Sequence, residues 1–483
     1  MFMATMLLAL TTAIGPIGTS KLGGFSSGLA TVGGGLAVWL GMLAFIVVLA
    51  AMFYGNPPLR RTLVAVYQLM LALFGYVRRR SRGEHELAGP RELRLCFERL
   101  GPTYIKFGQL IASSSGIFPD RYVREFHACL DHVPPESWPT VEATLESSLG
   151  KGATQLFTSI ESKPLASASI AQVYGALGRD DDGRDRELVI KIQRSGLAEL
   201  VRADVGMLGF GAELLQQVPR VRNANPRGVV QQFERNIYEE LDFLGEAARM
   251  DEFNRIMREL GRTDVCAPRP VHHLCTAEVL VMERLHGLRV DDVEAIRRRG
   301  ITASQAEDKL IAGMHAWFQC LIRYGFFHGD VHAGNLLLLD DGRIAFLDFG
   351  IIGRLDAARR RQVATYIMAF ATRDFVTVAR TMAEMGAVSA KKSDADWEAF
   401  AKDLEDAFSP FMSGVIADID YGAIMTKMIR NSARHGTRLP DDFVLILRQL
   451  LYFDRYARLL APSLNLLGDP RLLMTIGAEL AMM

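Results

Sequence analysis

At 483 residues the chain is longer than one compact core holds, and its length alone leads us to expect roughly three units. Its 55 basic and 55 acidic side chains cancel, which excludes a global positive field, so no nucleic-acid partner is expected. The five cysteines (Cys96, Cys129, Cys266, Cys275, Cys320) form no C-x-x-C pair, which argues against a zinc site or a disulfide framework and fits a reducing compartment.

Residues 22–59 carry no charge, and 36–54 (LAVWLGMLAFIVVLAAMFY) are 19 mostly bulky apolar residues. At about 1.5 Å per residue such a run crosses a hydrocarbon core of about 30 Å and reads as a membrane span. The alternative is a buried core helix; a cleaved signal peptide lacks its basic leader in residues 1–20. Only Lys21 precedes the run, whereas Arg60, Arg61, Arg78, Arg79, Arg80 and Arg82 follow it. The positive-inside rule then predicts a single-pass cell-membrane protein with its catalytic domain in the cytoplasm. Residues 62–77 are too short to span comfortably and read as an interfacial or packed helix, its arginines either meeting anionic lipid or solvated.

Polar, proline-containing stretches at 82–90 (RGEHELAGP) and 133–139 (VPPESWP) interrupt helical segments. Within 165–193, the apolar runs ASIAQVYGAL and RELVIKIQ flank the polar turn RDDDGRD and signal a hairpin. Residues 195–218 and 227–260 read as helices, TAEVLVMERLHG contains a strand, and beyond residue 290 the chain is mostly helical apart from one short hairpin. The expected order is a membrane anchor (1–60), a juxtamembrane helix and helical extension (61–163), a small β-containing lobe (164–286), a mostly helical lobe (287–390) and a C-terminal helical region (391–483). Two lobes imply a cleft.

That hairpin lies in FFHGDVHAGNLLLLDDGRIAFLDFG, residues 326–350. The apolar runs NLLLL and RIAFL are separated by Asp340, Asp341 and Gly342, a tight-turn signal. Closing the hairpin brings Asp348 back towards Asp330, with Asn335 at the mouth of the first strand. Hard oxygen ligands of this kind, too few for a complete cage, suit Mg²⁺ completed by water and phosphate oxygens. Asn335 and Asp348 would hold the metal, and Asp330 would orient or deprotonate the attacking group. The plainer reading, a turn plus a helix cap, explains one of the three residues. In LVIK, strand alternation places Leu188, Ile190 and Ile192 on one face and Val189 and Lys191 on the other.

The order LVIK, MERLHG, HGDVHAGN, LDFG resembles the protein-kinase-like superfamily. KFGQ (106–109), the alanine-rich PLASASIAQV in place of a glycine loop, and ELD (240–242) are similar to its atypical UbiB/AarF branch. The resemblance covers roughly residues 93–462 and implies an α+β, bilobal protein-kinase-like fold with a helical N-terminal extension, here preceded by the expected transmembrane helix. It implies Mg²⁺ and ATP as cofactors. By the same resemblance Lys191 would contact the α/β phosphates and pair with Glu246, and Glu240 would meet Lys106. Glu283 and Leu285 would sit where the interlobe hinge meets adenine; Ala166, Ala168 and Ser169 would form the loop over the phosphates. Gln109 would lie on the extension that folds across the cleft, and Asp242 completes the ELD motif beside it. Exposed helix faces are the alternative for Lys106, Gln109, Glu240 and Glu246. The sequence departs from the family at Val331 and Ala333, usually prolines, at Tyr174, usually His, and at Ser167 within the alanine run.

No A-P-E follows Gly350, no Ser, Thr or Tyr occurs before Thr365, and a helix can start at Asp356 as its cap. A platform for peptide substrates is missing. The resemblance therefore implies an atypical kinase-like ATPase that supports ubiquinone (isoprenoid quinone) biosynthesis, with a membrane lipid or quinone precursor and quinone-biosynthesis enzymes as partners. A protein or small-molecule kinase, and a non-catalytic pseudokinase scaffold for lipid precursors, remain the alternatives.

Overall fold

The computed structural model describes residues 57–482 apart from 85, 114–117, 130–133, 219–224, 387–392, 413–426, 429, 432–433, 437–439, 462–463 and 465–468. The chain divides into a unit of residues 1–63 and a unit of residues 64–483, and every element that positions the site lies in the second.

Helix α1 (Pro57–Ser81) is followed by α2 (Ala88–Leu100), α3 (Pro102–Ser113) and α4 (Asp120–Phe126). The last three close around Cys96, Phe97, Leu100, Tyr104 and Phe126, with the Phe97 ring edge-on to Tyr104 at 5.5 Å and to Phe126 at 5.3 Å. Among the described residues no helix is long and apolar enough to cross a membrane. This corrects the expected single-pass topology, its transmembrane helix and the cytoplasmic placement drawn from them. Residues 36–54, on which that expectation rests, lie outside the described residues. In α1 the reason is physical: Arg60, Arg61, Arg78, Arg79 and Arg80 bracket an apolar run about 24 Å long, short of the roughly 30 Å needed.

Helix α5 (Trp138–Leu149) covers an antiparallel sheet made of β1 (Phe157–Ile160), β3 (Ala171–Arg179), β4 (Asp185–Gln193) and β6 (Val279–Glu283), in that order, with β2 (Ala166–Ser167) paired to β3. Alternation along β4 is as the sequence predicts: Leu188, Ile190 and Ile192 are buried in a cluster with Val141, Leu145 and Tyr174, while Val189 and Lys191 face the other way, half-buried. Helices α6 (Leu197–Gln216), α7 (Pro226–Leu241) and α8 (Phe243–Glu259) lie between β4 and the next strand, β5 (Val265–Cys266). The helix expected over 227–260 is in fact two. Asp242 leaves helical geometry (φ −90°, ψ 79°) and its carboxylate accepts from the Gly245 N–H at 2.9 Å, capping α8. That break puts Glu240 and Glu246 on separate helices.

A second sheet, in the order β5, β10 (Ile344–Phe346), β9 (Leu336–Leu339), β7 (Gly287–Arg289), carries the hairpin; β9 and β10 are antiparallel, and β5 joins β10 in parallel. Two short strands, β8 (Phe326–His328) and β11 (Ile352–Arg354), pair beside it. Around them pack α9 (Val293–Arg298), α10 (Ala303–Gln319), α11 (Ala357–Ala371), α12 (Phe375–Met385), α13 (Asp394–Met412), α14 (Asp441–Leu460) and α15 (Pro470–Ala481). Helix α8 belongs to this second core: Phe243, Ala247, Met250 and Phe253 are buried with Trp317, Phe346 and Phe349, and the Phe253 ring lies 5.4 Å from Phe346 and 5.2 Å from Phe349. The result is a mixed α+β fold with a helical N-terminal region, consistent with a bilobal kinase-like arrangement.

Candidate functional site

The site forms where β4, α8 and the loops flanking β9 and β10 converge. Lys191, near the end of β4, donates to both carboxylate oxygens of Glu246 at 2.9 Å, and its ammonium is 3.5 Å from Asp348 Oδ2. It also lies 5.2 Å from the Phe243 ring centre. Glu246 is 1% exposed, so the pair is almost withdrawn from water. Burial disfavours the Lys191 cation, but Asp348 and Glu246 outweigh it and hold its pKa above the ordinary lysine value. For Glu246, burial prevails over the pull of Lys191 and, with Asp348 adding repulsion, lifts the carboxyl to about 7.

Asp348 takes a left-handed backbone conformation (φ 54°), uncommon for a residue other than glycine, with its Oδ1 accepting from the Gly350 N–H at 3.2 Å. Burial pushes its carboxyl up, but Lys191, the Gly350 amide and Lys106 more than reverse this and hold the pKa at about 2. His328 is buried; its Nε2 contacts the Leu347 carbonyl at 2.8 Å and its Nδ1 accepts the Asp330 N–H at 3.2 Å. That pattern fixes the neutral tautomer with the proton on Nε2, in keeping with burial pushing this imidazole below its usual pKa. Asn335 donates through Nδ2 to the Asp330 carbonyl at 2.9 Å, which leaves Oδ1 as the amide's acceptor atom. His332, which the sequence reading passes over, places Nε2 3.7 Å from Asp330 Oδ2 while its Nδ1 accepts from Gly334.

Among the described residues no group of three or more His, Cys, Asp or Glu could hold a metal ion. The two groups expected to hold a metal are one ionised carboxylate, Asp348, and one amide oxygen, Asn335. Such a set fits a hard ion that takes most of its ligands from water and phosphate, as Mg²⁺ does, and not a closed protein site.

The KFGQ segment lies on α3. Lys106 pairs with Glu240 Oε2 at 2.7 Å, and the Glu240 chain passes 3.9 Å from where a Cβ on Gly350 would sit. Burial lowers the Lys106 pKa, yet Glu240, Asp348 and Asp330 together raise it, so this second ammonium feels the carboxylates of the cleft. Gln109 is half-buried one turn further along α3. Asp242 acts as the α8 cap, and Arg249 one turn past Glu246 donates to the Phe349 carbonyl at 2.7 Å.

In the alanine loop, Ala166 and Ala168 are exposed whereas Ser169 is 2% exposed. Arg194, which offers no sequence signal beyond its charge, fixes this loop: Nε donates to the Ala168 carbonyl, and Nη2 to Ser167 Oγ and the Pro134 carbonyl, each at 3.0 Å. Glu283 ends β6, paired across from Leu188, and Leu285 follows it, packing with Leu337 and Leu347 on a small cluster around Cys266, Leu339 and Ala345. The three leucines are half-buried and together form an apolar patch beside Glu283. The segment after Gly350 is short: β11 and then Asp356, whose Oδ1 accepts from Arg359 N at 2.8 Å and caps α11.

Residues 128–382 match the family described as the ABC1 atypical kinase-like domain. An aarF domain-containing protein kinase of the Arabidopsis thaliana chloroplast is 36% identical over 411 residues, spanning 80% of this chain and 74% of the relative. A Mycobacterium tuberculosis protein is 37% identical over 385 residues, spanning 79% of this chain and 77% of its own. Among solved structures, a Mycobacterium tuberculosis protein in complex with erythromycin aligns with a TM-score of 0.48 and 23% identity, covering 75% of this chain and 92% of that one. The chain belongs to the ABC1/UbiB (AarF) family of atypical kinase-like proteins.

Proposed function

We propose that the protein is an atypical kinase-like ATPase that binds Mg-ATP in this cleft and supports isoprenoid-quinone (ubiquinone) biosynthesis by acting on, or handling, a lipid-like precursor. The observation that carries the reading is Lys191, whose ammonium is 2.9 Å from Glu246 and 3.5 Å from Asp348, joining a strand, a helix and a hairpin far apart in sequence. In this reading Lys191 binds the α/β phosphates, Asn335 and Asp348 hold the metal, and Glu283 and Leu285 flank the adenine. When bound, Mg²⁺ neutralises phosphate charge. Asp330 orients the attacking water or hydroxyl. Hydrolysis or transfer to a small acceptor is favoured over transfer to protein because Lys106 and Glu240 stand beside Asp348 and Gly350, and because α11 begins at Ala357, leaving no peptide platform. Exposed apolar residues on α1, among them Leu69, Met70 and Phe74, support contact with a lipid or a quinone-pathway enzyme.

The test is nucleotide turnover by the purified full-length protein, with and without a quinone-precursor phenol. We expect Asp330→Ala to reduce turnover at least about 100-fold while Mg-ADP still binds, and Asp348→Asn to weaken binding at least about tenfold. Equal turnover by wild type and Asp330→Ala would reject an ATPase working through this site and leave the scaffold reading. A phosphoprotein product lost in Asp330→Ala would favour the protein-kinase alternative.

A further inference from the structure

Helix α14 (Asp441–Leu460) lies outside the residues that match the family, yet its side chains reach the backbone on both sides of Asp330. The Val331 N–H donates to Gln449 Oε1 at 2.9 Å, and the Val331 carbonyl accepts from the Tyr456 hydroxyl at 3.1 Å. Arg448 Nη2 reaches the Gly329 carbonyl at 3.4 Å. The Gln449 amide is oriented by its own Nε2 donating to Leu445 at 2.9 Å, which leaves Oε1 as the acceptor. Val331 and Gln449 are 0% exposed and Tyr456 is 2% exposed, so water does not compete for these bonds. A Cβ on Gly329 would approach Leu445 Cδ2 to 3.1 Å and Ile351 more closely still, so the loop lies tight against this helix.

Together with the bond from the Asp330 N–H to His328 and the bond from Asn335 to the Asp330 carbonyl, each backbone polar group from the Gly329 carbonyl to the Val331 carbonyl has a partner. Three of those five partners come from α14, more than 110 residues further along the chain. With this backbone held, the position of the Asp330 Cα is set by the clamp and only the side chain's own torsions remain. We infer that α14 belongs to the catalytic unit and that Gln449 and Tyr456 are positioning residues for Asp330, acting through Val331. The inference rests on the proposed role of Asp330, but the clamp can be tested without it.

The experiment uses full-length Gln449→Met, Gln449→Glu and Tyr456→Phe. Methionine keeps the length of the side chain and removes the acceptor; a buried, protonated glutamic acid accepts and donates as the amide does. Amide hydrogen exchange over residues 326–335 reads the clamp itself: we expect faster exchange in Gln449→Met and near wild-type protection in Gln449→Glu. Turnover reads the consequence: we expect kcat about tenfold or more lower in Gln449→Met and Tyr456→Phe, with KM and Mg-ADP affinity within about twofold of wild type and recovery in Gln449→Glu. Unchanged exchange overturns the clamp; faster exchange with unchanged kcat overturns the positioning role. If the wild type shows no turnover that depends on Asp330, the proposed function fails, and the exchange result alone decides whether α14 holds the loop. Tyr456→Phe removes a single oxygen, so a folded variant is available even if Gln449→Met is not.

Discussion

Replacing Lys191 with methionine should make stability depend on pH in a way that isolates one group. Glu246 is 1% exposed, and without the ammonium at 2.9 Å it faces burial and the Asp348 charge with only Arg249 to offset them. A buried lone carboxylate is costly enough that the group keeps its proton instead. The folded variant then binds a proton that the unfolded chain releases above an ordinary carboxyl pKa of 4.5. The sign is fixed: stability is lost as pH rises, by about 1.4 kcal/mol per pH unit. Between pH 4.5 and pH 7 that amounts to about 3.4 kcal/mol. The right control is Lys191→Met/Glu246→Gln, which has the same shape without the titrating group and should be more stable than the single variant by about that amount at pH 7. Urea unfolding of both variants from pH 5.5 to pH 8, followed by tryptophan fluorescence, measures the difference. Parallel stability curves, or a gap under about 1 kcal/mol at pH 7, would mean that Glu246 finds another cation or water, and the account of the buried pair would be wrong.

Asp348 should show the opposite pH dependence. With its pKa held at about 2 in the folded protein, its contribution is present above the ordinary value of 3.8 and is lost as pH falls towards 2. Because its side chain is 49% exposed, the loss should stay below about 1 kcal/mol, seen as a shallower acid-unfolding curve for Asp348→Asn; coincident curves would contradict it. Arg194→Gln should free the alanine loop from its contacts to Ser167, Ala168 and Pro134 and weaken Mg-ADP binding about tenfold by calorimetry, with the melting temperature lowered; unchanged affinity would show that loop position does not matter to the ligand. Gly353→Ala should destabilise by roughly 1 to 3 kcal/mol in thermal unfolding, since its Cβ would fall 2.0 Å from the Phe327 ring; a neutral result would show that β8 and β11 can part without cost.

The parts of the site that the sequence announces are those with local spacing. Asp330 and Asn335 share one short loop, a two-stranded hairpin returns Asp348, and a strand of period two turns Lys191 away from Leu188 and Ile190. The pairings of Lys191 with Glu246 and of Lys106 with Glu240 needed the family resemblance, because across a separation of 55 positions, as between Lys191 and Glu246, nothing local predicts which carboxylate meets the lysine. The break at Asp242 was hidden because the apolar period runs through it; only the capping bond to Gly245 reveals the second helix. Arg194, Gln449 and Tyr456 were not legible because a lone guanidinium, amide or phenol acquires its role from a partner distant in sequence. The membrane topology read from the uncharged stretch did not stand, since hydropathy says what a segment tolerates and not where it lies.

The parallel pairing of β5 with β10 bears on how the cleft can open. Helix α8 runs almost directly into β5, β5 is hydrogen-bonded to β10, and Asp348 follows β10 by two residues, while Arg249 ties α8 to the Phe349 carbonyl at 2.7 Å. Glu246 and Asp348 are thus tied to each other through α8, β5 and β10, while α8 shares its core with Ala171 and Leu280 of the sheet that carries Lys191. Parting of the two sheets should therefore register first between Lys191 and Asp348, at 3.5 Å the longer of the two ion pairs, so that this one distance measures how far the jaws are apart.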